Sequence, residues 1–315
     1  MSYSLRSLAS INQKVKKTFK FKNNGILAIV VLLIGVFLLD TMGAFIKILS
    51  SSYSTTSLAV ARNIFGFIPI FLVLMWSSTT QSIKLEVSKK SALLVFIRGI
   101  SITCAQFCFY LALTKLEFAT ASTLVFAGPL FLTALSIPIL KVSVGIYRWL
   151  AVVIGFLGII LIMGIGKDIF TISALSPLGA AFGYALSSIT VKLFPAQIPT
   201  AQIQLYTQVT TLLGAVILLV ITSGYTPILS LKDGFYIFAM GIIGGIGVIC
   251  LITAYRMTDP SIIAPFEYFG IPFSIILGWI FFYELPISRL FPGVFLIIGA
   301  GAIIIWRERI KNSHN

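Results

Sequence analysis

Several ionisable side chains lie inside long apolar stretches of this sequence, where a charge is costly. Asp40 falls near the middle of the first stretch, Arg62 and Arg98 lie in the second and third, and Glu267 lies in the ninth. A charged side chain at the centre of a bilayer costs at least about 2.5 kcal/mol on insertion scales, so such residues usually face a bundle interior or a watery cavity. Their chemistry is that of charges held inside a membrane, able to meet groups of opposite sign.

Glu267 has Gly270 and Ser274 on the same helical face, which leaves room beside its carboxylate. The carboxylate could bind a cationic group of a solute or exchange a proton with a cavity. The alternative is a structural role as the partner of Arg256 or Lys192.

Asp40 and Lys47 are seven residues apart, so they lie two turns apart on one helical face. Asp40 is too deep to reach an interface, and we expect it to be functional. Lys47 and Lys192 each lie near the end of an apolar stretch. They could contact a solute, pair with carboxylates to hold a closed state, or extend to the two interfaces.

Arg62 and Arg98 each lie about one and a half turns inside an apolar stretch. A guanidinium can neutralise a carboxylate or a phosphate through two parallel hydrogen bonds. The alternatives are an internal ion pair with Asp40 or Glu267, or extension of Arg98 to the cytoplasmic interface.

Uncharged polar residues recur at four-residue steps within three stretches. They could present amide and hydroxyl groups to a solute, or bond neighbouring helices. These residues are Gln106 and Tyr110, Tyr184 followed by Ser188, and Gln204 followed by Gln208. Tyr268, next to Glu267, adds an aromatic ring that suits a ring-bearing solute.

The composition is that of an all-α integral membrane protein. Hydrophobic residues make up 58% of the 315 positions and charged residues only 10%, against about 25% in soluble domains. The net charge of +14 could suggest nucleic acid. However, the basic residues collect in the N-terminal tail and after the last apolar stretch, so we expect the lipid bilayer, and no nucleic acid, as a partner.

No cofactor or metal site is expected. Cys104, Cys108 and Cys250 all lie in apolar stretches and are interpreted as packing residues, and the only histidine, His314, lies in the polar tail. The glycine-rich segment 241–247 superficially resembles a nucleotide loop, but it lies in an apolar stretch with no preceding strand. Close helix packing is the better interpretation.

Ten apolar stretches of roughly 20 residues are long enough to cross a bilayer as helices. On this count the cytoplasmic segments carry many more Lys and Arg residues than the outer segments. This bias places both termini in the cytoplasm. The predicted spans are 25–49, 57–76, 92–113, 118–139, 147–165, 174–194, 201–222, 234–256, 261–283 and 288–306.

Weak internal similarity divides the chain into two halves. Lys47 aligns with Lys192 at an offset of 145 residues, Gly128 aligns with Gly270 at 142, and Arg148 aligns with Arg289 at 141. Five spans are an odd number, so the second half must enter the membrane from the opposite side. The prediction is two inverted five-helix repeats, 25–166 and 167–306, between a basic tail (1–24) and a short C-terminal tail (307–315).

Three prolines inside predicted spans could bend their helices, because proline leaves a backbone carbonyl without its usual partner. They are Pro129, Pro265 and Pro272. Gly128-Pro129 and Gly270-Ile271-Pro272 hold nearly equivalent positions in the two halves. We interpret the prolines as bending points for gating, with static kinks as the alternative.

The order of short motifs resembles the drug/metabolite transporter superfamily, in its EamA-type branch of ten-helix carriers. The resemblance covers nearly the whole chain after residue 25. It implies a central cavity lined by spans 1–4 and 6–9, with spans 5 and 10 at the periphery. S-adenosylmethionine uptake carriers and riboflavin carriers are the subgroups that look similar, and amino-acid exporters are more distant. The motifs are Arg62, Arg98-Gly99, GPLF (128–131), Arg148-Trp149 with GFLG (155–158), and APFEY (264–268) with GWIFFYELP.

The expected function is that of a carrier, not an enzyme, that moves a small polar metabolite by alternating access. The mixed charges suit a zwitterion, and the aromatic residues suit a ring. An exporter of the same family and a membrane-embedded lipid-modifying enzyme are the alternatives. The oligomeric state is left open between a monomer and a homodimer.

Overall fold

The computed structural model describes residues 2–76, 89–140, 146–163, 172–191, 193–195, 198, 200–257, 266–285 and 287–313. Every regular element in these ranges is an α-helix. The helices are α1 (Ser2–Leu49), α2 (Thr55–Phe65), α3 (Phe67–Trp76), α4 (Lys89–Lys115), α5 (Phe118–Val125), α6 (Gly128–Leu140), α7 (Ile146–Met163), α8 (Ile172–Val191), α9 (Thr200–Ile221), α10 (Leu231–Met257), α11 (Gly270–Phe282), α12 (Ile287–Leu290) and α13 (Gly293–Ser313).

The helices follow the predicted spans, and the all-α membrane fold is confirmed. Six segments of the described chain are long and apolar enough to cross a membrane, and three shorter apolar helices accompany them. Spans 2 and 4 are each built from two helices, α2 with α3 and α5 with α6. The first helix also extends back through the predicted tail, because no glycine or proline between residues 2 and 24 interrupts it.

The helix contacts repeat when the two halves are exchanged, as two inverted repeats require. Helix α1 of the first half packs against α10 of the second half. The equivalent pair is α8 of the second half against α4 of the first. Likewise α2 packs against α10 as α9 packs against α4, and α1 packs against α11 as α8 packs against α5 and α6. Equivalent helices also meet each other, α2 with α9, α5 with α11 and α7 with α13. The helices therefore surround a pseudo-two-fold axis.

The same symmetry holds for individual glycine contacts. A Cβ on Gly99 would lie 2.1 Å from Thr210 Oγ1, and a Cβ on Gly241 would lie 2.3 Å from the Phe65 Cβ. Gly99 and Gly241 are 142 residues apart, and Phe65 and Thr210 are 145 apart. These are the offsets at which the sequence aligns its two halves, so the repeat is visible in the packing of single residues.

The glycine-rich segment 241–247 of α10 is a helix-packing surface, as predicted. A Cβ on Gly245 would lie 3.0 Å from the Gly66 carbonyl oxygen, and one on Gly247 would lie 3.2 Å from the Gly35 carbonyl oxygen. Without side chains at these positions, α10 approaches the backbones of span 2 and α1 closely.

Spans 5 and 10 pack mainly against each other, as α7 against α13. Their closest approach is at Gly158 and Gly293, where a Cβ on Gly158 would lie 2.7 Å from the Gly293 carbonyl oxygen. This pairing agrees with the peripheral position that the family resemblance implies for both spans.

The helix breaks in spans 4 and 9 lie at equivalent places. Residues 126–127 form a turn before α6 begins at Gly128, and residues 268–269 form a turn before α11 begins at Gly270. The two breaks touch, because the Phe126 ring occupies the position that a Cβ on Gly270 would take. The predicted bends at Gly128-Pro129 and near Pro272 thus coincide with interruptions of the helices, whereas Pro265 lies outside the described residues.

Replacing Gly158 with alanine should destabilise the protein, because the new methyl group would press on the backbone of α13. Overpacking of this kind typically costs about 1–3 kcal/mol. Gly299, which aligns with Gly158 in the other half, has no atom within 4 Å of its Cβ position and is the matched control. We expect thermal unfolding in detergent to show a lower Tm for Gly158→Ala and an unchanged or higher Tm for Gly299→Ala. Equal shifts in the two variants would contradict this packing.

Candidate functional site

A buried hydrogen bond between Asn63 and Gln208 lies where the two halves meet. The Gln208 Nε2 donates to Asn63 Oδ1 at 3.2 Å and to the Asn63 carbonyl oxygen at 2.9 Å. Asn63 and Gln208 are 145 residues apart, so they are equivalent in the two repeats. A contact between equivalent residues lies on the pseudo-two-fold axis. In carriers built from inverted repeats that axis passes near the membrane midplane, where substrates bind.

Arg62 and Gln106 complete a polar cluster around this hydrogen bond. Arg62 Nη1 donates to Asn63 Oδ1 at 2.9 Å, and the Asn63 Nδ2 donates to Gln106 Oε1 at 3.0 Å. Gln106 Nε2 lies 3.4 Å from the same Asn63 oxygen. All four side chains are buried, with exposed fractions of 5% or less. The cluster joins spans 2 and 3 of the first half to span 7 of the second, and we call it the axial cluster.

The helix break in span 2 positions the axial cluster. Ser54 caps α2 by accepting a hydrogen bond from the Ser57 backbone N–H, and α2 ends at Gly66. A Cβ on Gly66 would lie 3.0 Å from Gln208 Nε2, so only glycine leaves room for that amide to reach Asn63. The small residue thus lets a side chain of α9 bond the backbone of α2.

The surroundings of Arg62 contain hydroxyl groups and glycine but no described carboxylate within ion-pair distance. Arg62 Nε is buried without a hydrogen-bond partner and lies beside the backbone of Gly244. Arg62 is also within electrostatic range of the phenol groups of Tyr110 and Tyr184. The Tyr110 hydroxyl is itself buried and without a partner. Five of the residues singled out from the sequence therefore lie in or near one site: Arg62, Gln106, Tyr110, Tyr184 and Gln208.

Lys47 lies away from the axial cluster, at the end of α1. Its Nζ lies 2.7 Å from Glu284 Oε1 and donates to the Leu116 carbonyl oxygen at 2.9 Å. Glu284 also accepts a hydrogen bond of 2.7 Å from the Phe118 backbone N–H. Lys47 therefore pairs with a carboxylate, which was one of the three alternatives for it. The carboxylate is that of Glu284 and not that of Asp40.

The end of α11 directs Glu284 toward Lys47. Tyr283 has a left-handed backbone with φ 57°, and the Glu284 N–H donates back to the Gly278 carbonyl oxygen at 3.2 Å. The Tyr283 N–H donates to the Trp279 carbonyl oxygen at 3.1 Å, so the helix ends in the simpler left-handed (αL) cap, which turns the chain sharply. The ion pair therefore ties α1, the α4–α5 connection and the end of α11 together.

A second set of contacts joins the α1–α2 connection to the α9–α10 connection. Tyr53 donates to Asp233 Oδ2 at 3.1 Å and accepts from the Leu229 N–H at 2.7 Å. Ser57 donates to the Gly224 carbonyl oxygen at 2.9 Å. On the predicted topology these contacts lie on the same outer side as the Lys47–Glu284 ion pair.

Arg98 joins α4 to α8 by a hydrogen bond. Its Nη1 donates to the Ser187 carbonyl oxygen of α8, and its Nε is buried without a partner. Arg98 also lies next to Gly99, where α4 packs on α9. It forms no described ion pair with Asp40 or Glu267.

The two acids singled out from the sequence differ in their hydrogen bonds. Asp40 is buried, and its Oδ2 has no hydrogen-bond partner. Glu267 accepts a hydrogen bond from the Tyr255 hydroxyl near the end of α10. Neither carboxylate forms an ion pair within the described part of the chain. The side chains of Arg256 and Lys192, the structural partners considered for Glu267, lie outside that part.

The remaining predicted residues are dispersed. Gln204 is buried with Oε1 unpartnered, and Tyr268 packs in the apolar cluster around α7 and α13 with its hydroxyl unpartnered. Pro272 is exposed and Pro129 is the second residue of α6. Lys192 lies outside the described residues.

Three contributing residues were not among the predicted site residues. Asn63 lies next to Arg62, and its position at the repeat offset from Gln208 was a usable signal. Glu284 falls within the motif GWIFFYELP, one residue beyond the predicted end of span 9. Tyr255 gave no signal, because a tyrosine in an apolar helix is common.

Comparison with known proteins supports the fold and the class. A family model described as the EamA-like transporter family matches residues 26–164, which is the first five-helix half. One solved crystal structure superposes with a TM-score of 0.60 at 16% identity, covering 90% of this chain and 97% of the other. That likeness concerns the fold alone.

Three relatives have named activities. The riboflavin transporter of Vibrio cholerae is 27% identical over 60% of this chain, and the match spans 63% of that protein, less than two thirds of its length. The S-adenosylmethionine uptake transporter of Rickettsia felis is 26% identical over 68% of this chain and 71% of its own. The pseudopaline exporter CntI of Pseudomonas aeruginosa is 23% identical over 84% of this chain and 90% of its own.

The matched half, the transporter relatives and the contacts that repeat between the halves agree with one another. The chain is similar to the EamA-like transporter family over residues 26–164, and to transporters named for riboflavin, S-adenosylmethionine and pseudopaline over 60–84% of its length.

Proposed function

We propose that the protein is a carrier that moves a small polar metabolite across the bacterial inner membrane by alternating access. The observation that carries this proposal is the axial cluster, a buried polar site shared by the two inverted halves. Carriers with inverted repeats bind their substrate at this kind of position, and then expose it to each side by moving one half against the other.

The symmetry of the contacts supports alternating access. The two-fold axis exchanges the two halves. The contacts that close the site on the inner side are therefore related by this axis to those that close it on the outer side. On the predicted topology, with both termini in the cytoplasm, the Lys47–Glu284 ion pair and the Tyr53–Asp233 contacts close the outer side. These contacts would have to open for the site to face outward.

The substrate we propose is zwitterionic or ring-bearing. Arg62 and Asp40 are both buried, one basic and one acidic, and neither forms an ion pair in the described part of the chain. A basic and an acidic group without ion-pair partners suit a molecule with both an anionic and a cationic group. Tyr110 and Tyr184 near Arg62 offer rings for stacking. The relatives named for S-adenosylmethionine, riboflavin and pseudopaline carry molecules of this general kind, and they include both uptake and export.

Reconstitution tests the proposal. Proteoliposomes containing the full chain should show saturable uptake and counterflow of a metabolite from a panel that includes S-adenosylmethionine and riboflavin. Flux without saturation or counterflow would indicate a channel. Turnover of the vesicle lipids without solute flux would indicate an enzyme, and either result would reject the carrier.

Substitution Glu267→Gln should abolish transport or uncouple it while the protein still folds, because it removes a carboxylate held only by the Tyr255 hydroxyl in the described structure. We expect at least a tenfold loss of initial uptake rate, comparable to the roughly 1.5–3 kcal/mol that a charged hydrogen bond contributes. Glu308→Gln, at the cytoplasmic end of α13, is the matched control and should transport normally. Wild-type uptake by a stable Glu267→Gln protein would remove Glu267 from the mechanism.

Removal of either partner of the Lys47–Glu284 ion pair should destabilise the outward-closed state. A double-mutant cycle with Lys47→Gln, Glu284→Gln and both together should give a coupling free energy of about 1 kcal/mol or more from thermal or denaturant unfolding. Lys115→Gln, an exposed lysine at the same end, is the control and should show no coupling with Glu284→Gln. Additive effects of the first pair would mean that the ion pair contributes nothing to this state.

A further inference from the structure

Arg62 is a buried cation whose charge is not balanced within the described structure. Its guanidinium bonds a neutral amide, and the one ion pair among the described residues is formed elsewhere, by Lys47 and Glu284. Burying a charge without a partner costs several kcal/mol. A bound ligand would balance this charge. Arg62 is well placed for one, because it bonds Asn63 at the symmetry axis.

The axial cluster also has more hydrogen-bond donors than acceptors. The guanidinium brings five N–H groups and the three amides bring two each, against three amide oxygens and the Asn63 backbone carbonyl oxygen. One of these oxygens, Asn63 Oδ1, lies within 3.4 Å of nitrogen atoms of Arg62, Gln106 and Gln208. Arg62 Nε and the Tyr110 hydroxyl have no partner at all. The missing component of this site is an acceptor that carries negative charge.

Resting on the proposed carrier function, we infer that the Arg62 guanidinium is the receptor for a carboxylate group of the substrate, and that Asn63 is the residue that positions it. Asn63 Oδ1 accepts a hydrogen bond from Nη1 of Arg62 and thereby fixes the plane of the guanidinium. Nε has no partner and can donate to one oxygen of a carboxylate. The planar group matches a carboxylate through two parallel hydrogen bonds.

A carboxylate fits this site better than a phosphate. A phosphate monoester carries a charge between about −1.5 and −2 near pH 7, and a single guanidinium would leave much of it uncompensated. No second Lys or Arg takes part in the hydrogen bonds of the axial cluster in the described chain. A monoanion balances the charge of Arg62, so the substrate should be an acid with one negative group at this end.

Arg98 does not share this role. It is also buried, but it donates to a backbone carbonyl oxygen of α8 and takes no part in the described hydrogen bonds of the axial cluster. The contrast assigns one arginine to the ligand and the other to holding α4 against α8.

The first experiment compares one probe that has a carboxylate with two that have none. Proteoliposome uptake is measured for S-adenosylmethionine, for its decarboxylated analogue and for riboflavin, which has no carboxylate. The wild-type protein should take up S-adenosylmethionine in preference to the other two. Arg62→Gln should raise the half-saturation concentration for S-adenosylmethionine at least tenfold and remove the preference over the decarboxylated analogue. Arg62→Lys, which keeps the charge but not the fork, should lose less.

Thr207→Val is the matched control, because Thr207 occupies the position equivalent to Arg62 in the second half and bonds only its own helix backbone. This variant should keep the wild-type preference. Uptake of riboflavin in preference to S-adenosylmethionine, or an unchanged preference in Arg62→Gln, would overturn the inference and leave the carrier function intact. Absence of uptake of every metabolite in the panel would reject the carrier function instead.

A measurement without any ligand decides the role of Arg62 independently of transport. If Arg62 awaits an anion, Arg62→Gln removes an unbalanced buried charge and retains an amide for Asn63. The Tm of the purified, ligand-free protein should then equal or exceed that of the wild type. A Tm lowered by several degrees, with Thr207→Val unchanged, would show that Arg62 is a structural pin and would overturn the inference.

Discussion

A polar group inside a bilayer must find its partners within the protein, because the hydrocarbon offers none. The hydrogen bond between Asn63 and Gln208 is the place where this constraint joins the two halves. Gln208 donates to its equivalent, Asn63, across the axis, and Asn63 donates in turn to Gln106. The remaining polar groups of the axial cluster depend on it, since Asn63 Oδ1 accepts from Arg62 and receives Gln208 from the other half.

The glycine contacts follow from the same constraint. Helices in a membrane gain little from burying apolar side chains against each other, so they associate through close packing and interhelical hydrogen bonds. Gly66 leaves room for the Gln208 amide, and Gly244 leaves room for the Arg62 side chain. Gly99 and Gly241 bring α4 and α10 against the spans that carry the cluster. Small residues thus position the polar ones, and a larger residue at any of these places would separate partners that have no other source of hydrogen bonds.

Much of the scaffold could be predicted from the sequence, because apolar length and charge bias act on each span separately. The repeat was visible for a similar reason, since the offsets of 141–145 residues were nearly constant. The partners of the charged residues were harder to predict. Lys47 and Asp40 share a helical face, yet Lys47 reaches Glu284, because the left-handed backbone at Tyr283 turns the chain toward it. That turn depends on tertiary packing and leaves no periodic signal. Asn63 is the opposite case. Its equivalence with Gln208 could be read from the residue numbers, but the contact between the two became visible only in the structure.

The scaffold is symmetric, but its charges are not. Arg62 is equivalent to Thr207, Asp40 to Ala185, Gln106 to Val248 and Glu267 to Val125 at the offsets of the repeat. A fully symmetric site on the axis would bind an asymmetric metabolite in two equivalent orientations. Each ionisable or amide residue in this set is equivalent to a residue without that group, so under the proposed role of Arg62 only one orientation places an anionic group on its guanidinium. On the proposed carrier mechanism, the symmetry serves the exchange between the two closures, and the departures from it set the orientation of the substrate.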